Sequence, residues 1–499
     1  MTDRFPDWRW QHEFAPSTLA VVRAHVDAVP PRWLEPDMHL RLAPKLEVGL
    51  HRARSGGDPV LVSVTSRLEA ADPTALISAS RRSGEPWFCF EQLERERSAI
   101  AALGVVRRIE SAGPERFEDV GSRWRAIIAS AVADELQGPP GAGLIAVGGF
   151  AFAPDGGSSP SWNGFEPASL LVPEVSLARR GTEATLTVNV EVAPDDELEA
   201  LVSRMETRLG ELRELPLPLL DPSPTGEYTV RSVMPPSHYE DAVARAVSRI
   251  RGGELEKVVL AREVEVHAPV NHDPGAVLGV LREGFGACYV FAVGRGDATF
   301  LAASPELLVR REGQRASTVA LAGSTRRSAD PAVDDHLGEQ LLRSEKDREE
   351  NAIVARRIVR ALRPIAVWVT AAPEPAVVRV MNIQHLARPI RAQLTSPIEA
   401  VELAGLLHPT PAVGGEPREV AERLIPTLEG FDRGWYAGAV GWTDATGDGE
   451  FCVALRCALL RGSLASCYAG GGIVRDSDPG AELAETEVKL EALLPVLAG

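Results

Sequence analysis

From residue 237 onward, strand-length apolar runs alternate with helical stretches, and glycine or proline punctuates the junctions. This restricts the chain to a mixed α/β fold. Tyr239, Val243, Ala246, Val247 and Ile250 recur at helical spacing, with Ser237 placed to cap the helix and Gly252-Gly253 to end it. Residues 257–266 (KVVLAREVEV) are rich in β-branched side chains and read as a strand, as do 300–303, 307–311 and 316–322. Residues 336–362 read as one long helical stretch stopped before Pro364. A late antiparallel run is expected over 436–443, 451–460 and 464–469, and a closing helix over 481–494.

The first half reads as folded scaffold: strands over 143–152 and 183–192, and a helix over 195–214. Prolines and turn formers concentrate at 215–236, which separates a scaffold half (1–236) from a half with chemistry (237–499). That seam is either a linker or, as preferred here, a long crossing loop within one domain. With 499 residues, 44% hydrophobic and 25% charged, the chain can bury a sizeable core as a soluble protein. The formal charge of −17 argues against nucleic acid or an anionic membrane as partner. It also means that an anionic substrate would need local arginine, lysine or a metal ion. The opening MTDRFPDWRW lacks a basic segment followed by an apolar one, and no run approaches about 18 apolar residues, so neither a secretory leader nor a membrane span is expected. Five cysteines without a CxxC pair read as buried free thiols, which suits a cytoplasmic location.

Two helical clusters carry candidate chemistry. Asp347 and Glu350 are three apart, and Glu482, Glu485 and Lys489 also share a face. Alone, either is an ordinary solvated charged face. The second cluster, however, follows AGGGIV (469–474), a glycine run read as leaving a strand, where backbone N–H groups can approach an anion. Glutamates beside an anion make sense with a divalent cation between them, and magnesium suits one or two carboxylates plus substrate oxygens. No GxxxxGK[ST] or strand-linked GxGxxG supports nucleotide binding.

The ordered segments KVVLAR (257–262), FLAASPELL (300–308), ALAGSTRR (320–327), SEKDREE (344–350), NIQHLARPI (382–390), LHPTPAVGGEP (407–417), FDRGWYAGAVGW (431–442), GDGEFCVALRCALL (447–460) and AGGGIVRDSDPGAELAETEVK (469–489) resemble the chorismate-utilising enzymes. That family includes isochorismate, salicylate, anthranilate and aminodeoxychorismate synthases. The first half matches more loosely, through WFCFEQ (87–92) and 148–174. The resemblance implies a fold like anthranilate synthase component I, with large antiparallel sheets in a sandwich and helices outside. It implies Lys257 as base and Glu306 as acid, and Glu350 and Glu485 as magnesium ligands supported by Asp347 and Glu482. It further implies Arg456 as a carboxylate clamp, with Tyr436 beside it and backbone help from Gly470, Gly471 and Gly472. Lys489 would assist at the metal, Gly323 and Ser324 would lie near C4 of the ring, and His385, Thr410 and Ala412 would line the pocket. His385, with no evident partner, is assigned only shape and hydrogen bonding.

Within the family, lysine at 257 favours water over ammonia as nucleophile, and Ala322 stands where the resemblance would put the lysine of covalent aminating enzymes. The expected activity is therefore magnesium-dependent conversion of chorismate to isochorismate, for menaquinone or siderophore synthesis. Salicylate synthase, which goes on to eliminate pyruvate, is the alternative, favoured in part by Leu455; an aminating subunit is less favoured. A monomer or weak homodimer without a glutaminase subunit is expected.

Overall fold

The structure is a computed structural model that describes residues 36–69, 71–134, 138–221, 225–380 and 382–498. The opening segment read for a leader lies outside the described residues, as do 222–224 of the proline-rich seam. Two large sheets dominate. The 13-stranded sheet runs from Thr229–Ser232 through Lys257–His267, Leu464–Ile473, Cys457–Arg461, Ala298–Ser304 and Tyr289–Arg295 to Trp87–Gln92, and on through scaffold strands. The 10-stranded sheet runs from Ala366–Ala371 through Ile383–Leu394, Arg315–Arg326, Leu307–Glu312, Gly449–Val453 and Ala439–Asp444 to Ile145–Phe150 and its neighbours. Among the described residues, pairing is antiparallel apart from Val60–Glu69 with Val132–Ala133.

Both sheets take strands from both sides of the seam. Trp87–Gln92 pairs with Tyr289–Arg295, and Ile145–Phe150 with Ala439–Asp444. The side-chain alternation explains why these runs read as continuously apolar. Phe88 and Phe90 enter one apolar cluster, which also holds Ile145, Phe150 and Phe451 of the other sheet. Trp87 and Cys89 enter a second cluster, with Leu42, Leu76 and Leu278 from helices. A strand covered on both faces has no polar side to show. All five cysteines are free and buried, and among the described residues no helix is long and apolar enough to cross a membrane.

Several local expectations need correction. Helix Pro236–Arg251 buries the expected face, but Pro235 stands at its N-cap and Pro236 starts it, so Ser237 is already inside the first turn. Proline suits that turn because its fixed φ is helical and its missing N–H needs no partner. The stretch 336–362 is two helices, Pro331–Arg343 and Glu345–Leu362. Ser344 breaks it: its backbone is extended (φ −64°, ψ 115°) and its hydroxyl accepts from the Asp347 N–H at 3.3 Å. Apolar periodicity ran through that cap. Tyr436 lies in a turn, with the strand starting at Ala439, and 451–460 splits between the two sheets. The physical reason is left-handed backbone at Ala437 (φ 59°) and Arg456 (φ 50°), which no strand accommodates.

Candidate active site

The site forms where a two-stranded ribbon bends from one sheet into the other. Ala298–Ser304 pairs with Cys457–Arg461 in the larger sheet, and the same two chain segments pair again in the smaller one, as Leu307–Glu312 with Gly449–Val453. The connectors at the bend, 305–306 and 454–456, carry Glu306 and Arg456, which are 2% and 9% exposed. Left-handed backbone costs a non-glycine residue about 1–3 kcal/mol and needs support from its surroundings. Arg456 has it: its carbonyl accepts from the Ala303 N–H at 3.1 Å, and across the turn the Ala437 N–H donates to Ala454 at 2.8 Å.

Burial pushes the Glu306 carboxyl up to about 8, against the opposing pull of Lys257, Arg456 and the Thr410 hydroxyl. It is therefore a protonated acid at neutral pH. Arg456 Nη2 lies 3.1 Å from His385 Nε2. A guanidinium only donates, so Nε2 accepts and Nδ1 carries the hydrogen toward the Gly323 carbonyl. Burial, with Arg456 and Lys489 acting the same way, holds His385 well below the usual histidine range. The partner that sequence did not supply for His385 is thus Arg456.

Lys257 opens its strand and is fully buried, with Nζ 2.9 Å from Glu350 Oε1. Beside it the glycine run lies inside strand Leu464–Ile473, Gly470, Gly471 and Gly472 pairing with Ala261, Leu260 and Val259. This corrects the reading of a loop leaving the strand. A Cβ on Gly472 would sit 2.1 Å from Glu350 Oε1, and one on Gly470 3.0 Å from Tyr436 Oη. Both glycines line the cavity because lysine, glutamate and tyrosine need that space. Gly471 points to the other face, toward Glu482 and Tyr239. The Gly470 carbonyl accepts from Lys489 Nζ at 2.8 Å.

The two carboxylate helices are Glu345–Leu362 and Pro479–Leu490. Glu350 and Glu485 line the cavity with Glu306, Gly323, Ser324, His385, Ala412, Tyr436, Arg456 and Lys489. Burial alone would raise Glu485, but Lys489 at 2.7 Å, the Ser324 hydroxyl at 2.6 Å and Lys346 outweigh it and bring the group to about 2. Asp347 and Glu482 stand behind. The Asp347 carboxylate accepts from the Ser344 hydroxyl, and Glu482 holds Lys346 at 2.8 Å. Burial raises both, and repulsion from Glu350 and Glu485 raises Asp347 further, as Glu485 does Glu482. Among the described residues no three acidic, histidine or cysteine side chains converge as a closed metal cage. Two cavity carboxylates, with acidic neighbours raised by burial and by repulsion, nevertheless fit a hard divalent cation that completes its shell from substrate and water.

Sequence reasoning missed several walls of the cavity: Val259, Leu321, Val413, Leu455 and Tyr468. Val259 was within reach, being two residues from Lys257 on one strand face. Tyr468, which stacks on Tyr436 with centroids 5.2 Å apart, had no such signal. Also missed was the buried Glu429–Arg433 pair. Arg433 donates to the carbonyls of Val413 (2.8 Å) and Val259 (3.0 Å), and Glu429 accepts from the Ala261 N–H (2.7 Å), tying a cavity wall to the lysine strand. Thr410 lies just behind, acting through Glu306 and the Ala412 N–H.

Residues 48–498 match the chorismate binding enzyme family, and the chain belongs to it. The salicylate biosynthesis isochorismate synthase of Pseudomonas aeruginosa is 36% identical over 453 residues, 91% of this chain and 93% of its own. Isochorismate synthase MenF of Bacillus subtilis is 32% identical over 459 residues, 90% and 96% of the respective chains. Among solved structures, MenF, the menaquinone-specific isochorismate synthase of Escherichia coli, superposes with a TM-score of 0.73 at 27% identity, covering 91% of this chain and 100% of that one.

Proposed function

We propose that the protein is an isochorismate synthase, hydrating chorismate at C2 and releasing the C4 hydroxyl as water. The observation that carries this reading is a neutral carboxylic acid lining the cavity: Glu306 is raised to about 8, with the buried Lys257 behind the cavity wall and close enough to act on it. Hydroxide is a poor leaving group and water a poor nucleophile, so the reaction needs a proton donor at C4 and a base at C2. As the base, Lys257 would act through its unprotonated amine, taking a proton from water as the C2–O bond forms. Both ring double bonds shift in turn, the C4–O bond breaks, and Glu306 protonates the departing oxygen. One water enters and one leaves, so the product is an isomer.

Arg456, aimed by His385, clamps the enolpyruvyl carboxylate, for which a planar guanidinium is suited. Magnesium held by Glu350 and Glu485, with Asp347 and Glu482 in support, would neutralise the ring carboxylate. Lys489, already paired with Glu485, adds positive charge on that side. Ser324, placed near C4 by resemblance, donates to Glu485, so its reach toward the ring runs through that carboxylate.

Incubation with chorismate and magnesium, with products separated by chromatography, tests the proposal. Isochorismate is expected. Salicylate with pyruvate would favour the lyase alternative, and a product that forms only with ammonia would overturn the choice of nucleophile.

A further inference from the structure

The bend contains a side chain that the proposed chemistry does not use. Ser304 ends the strand before the Glu306 connector and is fully buried. Its hydroxyl donates to the Val453 carbonyl at 2.5 Å, across to the other strand of the ribbon, and accepts from the Glu306 N–H at 3.3 Å. In return, the Val453 N–H donates to the Glu306 carbonyl at 3.0 Å. Val453 is the last strand residue before the connector that carries Arg456. A single oxygen therefore links the backbone of the acid to the segment leading into the clamp, where both segments leave their sheet pairing.

We infer that Ser304 is a positioning residue, a latch that holds the Glu306 connector against the Arg456 connector and so sets the acid's place relative to a clamped substrate. It rests on the reading of Glu306 as the acid. The pairing on either side leaves the bend itself to be held by few bonds: the ladders resume at Ala302–Cys457 on one side and Leu307–Cys452 on the other. The smaller-sheet ladder also shifts register between Leu307 and Val309. Without the hydroxyl, the 305–306 connector keeps its ends but loses a tie in its middle. A displacement on the order of an ångström at a reacting group lowers turnover by about a hundredfold, while ground-state binding through distant groups survives.

The test compares Ser304→Ala and Ser304→Cys with Glu306→Gln, measuring kcat and KM for chorismate per folded enzyme, and thermal unfolding. Ser304→Ala is expected to lower kcat by about 10–100-fold with KM within about twofold. Ser304→Cys, near-isosteric with a weaker donor, should fall between, and carries the comparison if the alanine variant does not fold. Native kcat in both serine variants, or a loss confined to KM, overturns the latch. Glu306→Gln that retains turnover overturns instead the acid assignment beneath it, whereas inactive Glu306→Gln beside fully active Ser304→Ala removes the latch alone.

Discussion

The ribbon bend and the carboxylate helices face each other across one cavity, and they hold their charged groups in opposite ways. At the bend, Glu306 and Arg456 ride on connectors of two and three residues that are hydrogen-bonded between sheet ladders. On the helices, three carboxylates are matched by lysines: Glu350 with Lys257, Glu485 with Lys489, Glu482 with Lys346. The bend is organised by backbone before any ligand arrives. The helix carboxylates are held instead by ammonium counter-ions, two from the helices themselves and one from the strand that Lys257 opens. The protonation states diverge accordingly, with Glu306 near 8 and Glu485 near 2. One cavity thus presents a carboxylic acid on one side and a carboxylate on the other, the separation that lets two like groups take different roles.

The largest test of this contrast is Glu306→Gln, which should lower kcat by about 10²–10⁴-fold while chorismate still binds. Wild-type turnover should also fall as pH rises through about 8, and the residual activity of the variant should lack that limb. Stability follows the same sign. A carboxyl raised from 4.5 to about 8 on folding binds its proton more tightly in the native state. Its stabilising effect is therefore complete below the lower value and lost as pH rises through the upper one. Unfolding midpoints that fall equally with pH in both proteins would contradict the acid at the bend.

On the helix side, Glu485→Gln should weaken the magnesium requirement and activity together, by about 10–100-fold. An unchanged magnesium titration removes Glu485 from the ligand set. The smallest effect is expected from Lys346→Met. Lys346 is half-exposed, and its loss takes away an ammonium that competes for Glu482, so calorimetry on the free protein should find magnesium bound roughly two- to fivefold more tightly. Weaker binding would mean that Lys346 holds Glu482 in place for the metal, making the helix side as organised as the bend.

Much of the site was legible in short segments. The strand starting at Lys257 and the carboxylates on two helices are local patterns whose spacing survives any tertiary arrangement, while Lys257 and Glu306 stood out as site residues only through the family resemblance. Gly472 was legible as a close approach, although not what approaches it, which is the Lys257–Glu350 pair. The errors came where a local signal was overridden. Apolar periodicity concealed the Ser344 break, because a cap changes backbone direction without interrupting the pattern. Strand propensity concealed the turns at Ala437 and Arg456, because left-handed backbone at a non-glycine residue is imposed by surrounding bonds and leaves no mark in composition.

Spacing and residue chemistry thus marked four carboxylates on two helices, and the resemblance to chorismate-utilising enzymes added a lysine, an acid and an arginine. The folded molecule decided what state each takes and which face it meets. Glu306 becomes an acid only when the bend removes it from water, His385 finds Arg456 across 71 residues, and Gly471 turns from the cavity that its two neighbours line. Burial and sheet register are properties of long-range pairing, and a one-dimensional pattern does not carry them.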